Sequence, residues 1–194
     1  LPTISRRQRQ MCIRDSFIAK LKKRKQKAFA LEMLPRTSNA QSMDALSAMA
    51  SLAGYKSVIL AANYFTGYFP MLTTAAGTVP PAKVLILGAG VAGLQAIATA
   101  KRLGAVVEAS DPRQAAKEEV LSLGAKFIEV EGAVEDNDAG GYAVKQTQEF
   151  LDRQKQEVSR RLKEADVVIT TAQVLGSKSP ILISKNVVEQ MKPG

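Results

Sequence analysis

Hydrophobic and polar positions change their period several times along this chain, and each change marks an element. From Phe17 to Lys27, apolar and basic residues fall at helical spacing, which predicts a basic amphipathic helix. Ala28-Phe29-Ala30-Leu31-Glu32-Met33 reads as a strand, stopped by Leu34-Pro35. After a loop at 35–39, a long helix is expected from about Ala40 to Asn63. Its apolar positions Met43, Leu46, Ala50, Ala53 and Val58 recur at the spacing of one face, and Gly54 weakens it locally. Aromatic and threonine-rich sequence then leads to Gly77-Thr78-Val79-Pro80-Pro81, a stiff entry to the next strand.

Beyond Pro81 the pattern alternates regularly. Ala82–Leu87 reads as a strand, Leu94–Leu103 as a helix ended by Gly104, and Ala105–Ser110 as a second strand. Arg113–Leu123 is a helix ended by Gly124, Lys126–Glu131 a third strand, and Gly132–Gly141 an acidic, glycine-containing loop expected to be mobile. Tyr142–Ala165 reads as a long charged helix, Asp166–Thr171 as a fourth strand, Pro180–Ser184 as extended and Asn186–Met191 as a short helix. Strands alternating with helices imply an α/β fold with a Rossmann-like, doubly wound parallel sheet. Such a sheet is expected to take a further strand after Lys192-Pro193-Gly194. Residues 1–16 have neither period nor caps and are set aside as extraneous or disordered.

Charge narrows the partners. The net charge is +9, and residues 1–36 carry all of it, so residues 37–194 are neutral. The basic excess belongs to the N-terminal segment, and no nucleic acid is expected as a partner. The chain has one cysteine, Cys12, so it cannot form an internal disulfide; it has no histidine, which removes histidine-based triads and most zinc sites. No metal is expected. The uncharged stretch Ser57–Ala82 is broken by Asn63, Gly67, Pro70, Gly77, Pro80 and Pro81, and no membrane-spanning helix is expected. Chemistry must come from a bound cofactor or from the remaining polar side chains.

One stretch supplies the cofactor reading. The apolar run to Leu87 is followed at once by Gly88-Ala89-Gly90-Val91-Ala92-Gly93, a G-x-G-x-x-G that opens into a helix. Gly88 permits the tight turn, Gly90 lets backbone approach a pyrophosphate, and Gly93 lets the helix pack on the strand. The pyrophosphate would rest on the helix N-terminus. Asp111 stands at the tip of the next strand, eighteen residues after Gly93, where an acid accepts from ribose hydroxyls. The other outcome is a doubly wound domain whose glycine turn serves packing alone.

A second constellation lies in Pro35-Arg36-Thr37-Ser38-Asn39-Ala40-Gln41-Ser42-Met43-Asp44-Ala45-Leu46-Ser47. Gln41 and Asp44 are three apart and are expected to share a helix face. With Arg36 they could hold a carboxamide and ribose hydroxyls. A plain N-cap with charge compensation is the reading that the spacing alone favours.

The run from Pro35 to Ala62, followed by FPMLTTAAGTVPPAKVLILGAGVAGLQAIATAKRLGAVVEASDPR, resembles the NAD(H)-binding component of the proton-translocating NAD(P) transhydrogenase family, the N-terminal part of its alpha subunit. Alanine dehydrogenase is a similar relative. The resemblance implies two Rossmann-like domains with NAD(H) between them. Residues 17–79 would be the tail of the first domain with a long connecting helix, and residues 80–194 the NAD(H)-binding domain, truncated at its C-terminal end. It implies that Gly88, Gly90, Val91, Ala92 and Gly93 cradle the pyrophosphate. Asp111 would take the adenosine ribose, with Pro112 and Arg113 beside it. Arg36, Gln41 and Asp44 would form the catalytic loop at the nicotinamide, near Ser47. Gly141 and Tyr142 match a mobile loop closing over the nucleotide. Gln154 matches a position near the adenosine, and Thr171, Ala172 and Gln173 line the cleft. Gln173-Val174-Leu175 departs from the family's usual Leu-Ile-Pro.

The implied activity is hydride transfer from NADH here to NADP⁺ on a separate partner domain, coupled to proton translocation. The implied partners are the NADP-binding and membrane components and a second copy in a homodimer. The implied location is the cytoplasmic face of the bacterial inner membrane, with the fragment alone inactive. The alternative is an alanine-dehydrogenase-like, NAD-dependent amino-acid dehydrogenase. The absence of histidine favours the transhydrogenase, which needs no general base.

Overall fold

The computed structural model describes residues 15–29, 31, 34, 37–130, 132, 147–172, 179 and 181–193. Helix α1 runs Asp15–Lys23, beginning two residues ahead of the expected start. It ends early because Lys25 enters the left-handed region at φ 51°, and Gln26 N–H closes back on the Leu21 carbonyl at 3.0 Å. Phe17 on this helix is exposed. The strand expected at 28–33 does not form at Ala28, Phe29 or Leu31, and its other three positions lie outside the described residues. A strand needs a neighbour for its N–H and C=O groups, and Phe29 is 93% exposed with no strand beside it among the described residues.

The long helix expected from Ala40 is divided at its start. Gln41–Met43 forms a single 3₁₀ turn, and α2 runs Ala45–Tyr64 with Asp44 as its N-cap. One Asp44 carboxylate oxygen accepts from Ser47 N–H at 2.9 Å and the other from the Ser47 hydroxyl at 2.6 Å. That cap holds the chain in a non-helical conformation at Asp44, so Gln41 and Asp44 do not share a helix face as expected. The expected apolar stripe is also corrected. Val58 is buried, but Met43 and Ala53 are exposed, and Gly54 takes the buried place beside Val58. α2 is apolar nearly all round, so periodicity could not select its packed side. By length and composition it is also apolar enough to cross a membrane, which the break-up of Ser57–Ala82 did not anticipate. Here it lies across a second helix, α3 (Val91–Arg102), and its outer side leaves Met49, Leu52, Tyr55, Leu60 and Tyr64 exposed.

The threonine-rich sequence and the start of the stiff entry together form a β-hairpin: β1, Leu72–Thr74, pairs antiparallel with β2, Gly77–Val79. Both strands are exposed throughout. Gly77 at φ 134° and a bond from Ala76 N–H to the Thr74 hydroxyl at 3.2 Å make the turn.

The alternating part folds as expected in kind. Strand β3 is Lys83–Leu87 and leads to α3; β4 is Val106–Ser110, α4 is Ala115–Ser122 and β5 is Lys126–Phe127. Helix α5 is Gln148–Leu162, capped by Thr147; β6 is Val167–Thr170 and α6 is Lys185–Val188. The four strands β5-β4-β3-β6 form one parallel sheet in that order. β5 is shorter than expected, although Ile128 N–H still donates to the Ala109 carbonyl at 2.8 Å. α6 is shorter too, with turns over 189–190, and Pro180 lies outside the described residues, as does the loop 133–141.

Alternation along β3 divides the core. Val84 and Ile86 join Ala96, Ile97 and Ala100 of α3 and Val120 of α4 on one side. Leu85 and Leu87 join Val158 and Leu162 of α5 on the other. Helices cover both faces, which is the doubly wound architecture. Arg161 of α5 is tied to Glu108 of β4 at 2.6 Å, and Asp166 accepts from Lys83 N–H at 2.8 Å and from Lys192 at 2.6 Å.

Candidate functional site

Parallel pairing places the ends of three strands side by side, since Leu87 stands opposite both Ser110 and Thr170. The chain leaves β3 on one side towards β4 and β5, and returns on the other as β6. In open α/β sheets, ligands lie outside the carboxyl ends of the strands where the order reverses in this way. The glycine turn, Asp111 and Thr171 all sit there.

The three motif glycines have different physical reasons. Gly88 has φ 101°, donates to the Ser110 carbonyl at 2.8 Å, and accepts from the Thr171 hydroxyl at 2.8 Å. A Cβ at Gly93 would overlap the Gly88 carbonyl, so strand end and helix start touch through backbone. Gly90 is the N-cap of α3 at φ −75°, which any residue adopts, and a Cβ there would meet nothing within 4 Å. Neither backbone strain nor internal packing requires a glycine at 90. What the missing side chain leaves is open space above the first-turn N–H groups of α3, which have no intrahelical acceptor. A pyrophosphate fits that cradle. Val91 is exposed and Ala92 half-buried at its edge.

Asp111, at the tip of β4, is 9% exposed. Its Oδ2 accepts from Ala89 N–H at 2.7 Å, within the glycine turn. Its Oδ1 accepts from the Arg113 backbone N–H and from Arg113 Nε, each at 2.9 Å, and Arg113 Nη2 donates to Oδ2 at 3.1 Å. The hydrogen bond to Asp111 raises the Arg113 guanidinium above its ordinary pKa against an opposing effect of burial. Pro112 between them is half-buried. Gln154 of α5 donates to the Ser110 hydroxyl at 3.4 Å, next to Asp111. Beside the end of β6 a cleft of about 450 Å³ is lined by Thr170, Thr171, Ala172 and residues of 179–183.

A second tight approach, not foreseen from sequence, connects this centre to α2. A Cβ at Gly54 would overlap the Ala92 carbonyl, and the Ser51 hydroxyl lies 3.4 Å from Gln95 Oε1. α2 therefore crosses α3 in backbone contact at the start of the cradle. A lone glycine in a long apolar helix was the available signal. The Ala89–Asp111 and Thr171–Gly88 bonds were also not foreseen; they depend on the parallel register.

Of the expected residues, Gly88, Gly90, Val91, Ala92, Gly93, Asp111, Pro112, Arg113, Gln154, Thr171 and Ala172 come to one end of the sheet. Gln41 is exposed in the 3₁₀ turn, and Asp44 and Ser47 form the cap of α2. Arg36, Gly141, Tyr142 and Gln173 lie outside the described residues.

Fold and turn together define a Rossmann-type nucleotide-binding domain. A family model for the C-terminal domain of alanine dehydrogenase/PNT matches residues 57–194, and the chain belongs to that family. It is 55% identical over 176 residues to the first part of the NAD(P) transhydrogenase subunit alpha of Rhodospirillum rubrum, covering 90% of this chain and 46% of that protein. A crystal structure of transhydrogenase from Sinorhizobium meliloti matches with a TM-score of 0.74 at 51% identity, covering 86% of this chain and 44% of that one. Alanine dehydrogenase of Mycobacterium tuberculosis is 32% identical over 60% of this chain and 26% of its own length. The chain thus spans about half the length of the transhydrogenase relatives it matches.

Proposed function

We propose that this chain is the NAD(H)-binding part of a transhydrogenase alpha subunit. The observation that carries this is the cradle at Gly90: a position with no internal need for glycine, open above a helix N-terminus and flanked by the buried Asp111. Residues 80–194 are then the nucleotide domain and residues 17–79 the tail of a first domain with its connecting helix.

Gly88, Gly90, Val91, Ala92 and Gly93 hold the pyrophosphate, and Asp111 takes the adenosine ribose beside Pro112 and Arg113. Gln154 lies near the adenosine. Thr171, Ala172 and Gln173 line the cleft, and Gly141 and Tyr142 belong to a loop that closes over the nucleotide. Arg36, Gln41, Asp44 and Ser47 stand at the nicotinamide end. When bound, the nicotinamide supplies the hydride, so the chain's own task is positioning and exclusion of misaligned approach. The hydride passes between NADH here and NADP⁺ on a separate domain, coupled to proton movement across a membrane. The partners are the NADP-binding and membrane components and a second copy, at the cytoplasmic face of the bacterial inner membrane. The exposed apolar side of α2 and of the segment containing Tyr68, Met71 and Leu72 supports a place within a larger assembly.

The test is single-turnover hydride transfer with the full-length subunit mixed with its NADP-binding partner. Transfer from NADH to NADP⁺ is expected. A subunit that oxidises NADH only with a keto acid and ammonium present, and reduces NAD⁺ with the corresponding amino acid, would refute this reading in favour of an amino-acid dehydrogenase.

A further inference from the structure

Asp111 is crowded. A carboxylate offers about four lone-pair directions. Ala89 N–H and three donors of Arg113 already converge on its two oxygens, between 2.7 and 3.1 Å. Two of those donors are guanidinium nitrogens, so the acid at the ribose end holds a cation in its own subsite. In dinucleotide folds an acid at this position selects a free 2′-hydroxyl, while a nearby arginine receives a 2′-phosphate. Here both groups are present, three positions span them, and they are paired with each other. A planar guanidinium that can grip a carboxylate with two nitrogens has the geometry to grip a phosphate in the same way.

We infer that Arg113 is a latent 2′-phosphate-binding residue, and that Asp111 sets nucleotide choice by two effects together: its charge opposes the phosphate, and it occupies the guanidinium that would receive one. The inference rests on the proposed NAD(H) site. It separates two accounts of specificity. If Asp111 acts by charge alone, removing the charge narrows the preference whatever stands at 113. If Arg113 is latent, removing the charge redirects a cation onto the phosphate, and the new affinity depends on that arginine.

The experiment titrates NADH and NADPH against the full-length subunit and its variants at two salt concentrations. Asp111→Asn keeps the shape and an acceptor for Ala89 N–H; Asp111→Ser is the replacement if the amide does not fold. Wild type should bind NADH more tightly. Asp111→Asn should bring NADPH affinity to or above that of NADH, with a steep loss at high salt. Asp111→Asn combined with Arg113→Gln should show an NADPH-to-NADH affinity ratio at least tenfold lower than Asp111→Asn alone, whatever the double variant does to NADH itself. Equal NADPH-to-NADH ratios in the single and double variants would overturn the role of Arg113 and leave the NAD(H) site standing. A wild-type subunit that binds neither nucleotide, or prefers NADPH, would instead refute the site itself.

Discussion

The backbone N–H of Ala89 donates to Oδ2 of Asp111 across 2.7 Å, joining the glycine turn after β3 to the tip of β4. The acid assigned to a ligand from sequence thus also holds the turn that would cradle that ligand. Asp111→Ala should cost about 1–3 kcal/mol without any nucleotide present, because it leaves the buried Ala89 N–H unpaired. Asp111→Asn should cost less. Denaturant unfolding of the full-length subunit checks both, and an alanine variant as stable as wild type would assign Asp111 to ligand alone.

The glycines should separate in mutagenesis. Gly90→Ala places its methyl in open space at an allowed φ, so stability should fall by no more than about 1 kcal/mol, the cost of alanine at an N-cap. NADH binding should be lost or reduced at least tenfold. Gly54→Ala should do the reverse, since its methyl meets the Ala92 backbone: stability falls by about 1–3 kcal/mol despite the better helix propensity of alanine. Thermal melts and NADH titration on the same preparations decide this.

Gln41 and Asp44 should also part. The cap of α2 belongs to Asp44, so Gln41→Asn leaves it intact. Its NADH affinity should fall by about 1 kcal/mol, the size of one hydrogen bond, while single-turnover hydride transfer falls roughly 10²-fold through misplacement. Asp44→Ala should instead lower stability by about 0.5–2 kcal/mol. An unchanged transfer rate in Gln41→Asn would remove it from the reacting centre.

Acid should loosen α5 from within. The Arg160 hydrogen bond, against an opposing effect of burial and with help from Arg161, lowers the Glu157 carboxyl from 4.5 to about 2. Its folded pKa lies below its unfolded one, so its contribution is complete above about pH 4.5 and is lost as the pH falls towards 2. At Asp166, burial works upward, but Lys192 and the Lys83 N–H hold the carboxyl below its ordinary value, so its contribution is lost in the same direction. Glu157→Gln should flatten the decline of the melting temperature between about pH 4.5 and 2 while leaving the value at pH 3 nearer that of wild type than the value at pH 7.

Much of this was legible in the sequence because it is local. Leu87-Gly88 through Ser110-Asp111 carries its own instructions: β-branched run, glycine at φ 101°, helix, next strand. Parallel pairing followed from the alternation of strands with helices, whereas the order β5-β4-β3-β6 comes from the structure. The parts that were not legible depend on partners distant in sequence or on competition between near-equal local choices. Ala28 and Phe29 lack a neighbouring strand among the described residues. Asp44 competes with continuation of the helix and wins through two bonds to Ser47. The hairpin at 72–79 has no apolar alternation to announce it, since both its strands face solvent. Gly54 looked like a weakness because its reason lies 38 positions away at Ala92.

That crossing makes α2 a lever. Gly54 is the fulcrum, pressed on the helix whose start is the cradle, and Asp44 is the far end of the arm, ten residues away. At a rise of ~1.5 Å per residue the arm is ~15 Å long, so a tilt of ~5° at the fulcrum moves its tip by over ~1 Å. The fold therefore magnifies error from one end of the helix to the other. Any substitution that enlarges the crossing displaces the Gln41–Asp44 turn further than it displaces the cradle, so volume should be tolerated less at Gly54, against the Ala92 backbone, than at the turn it aims.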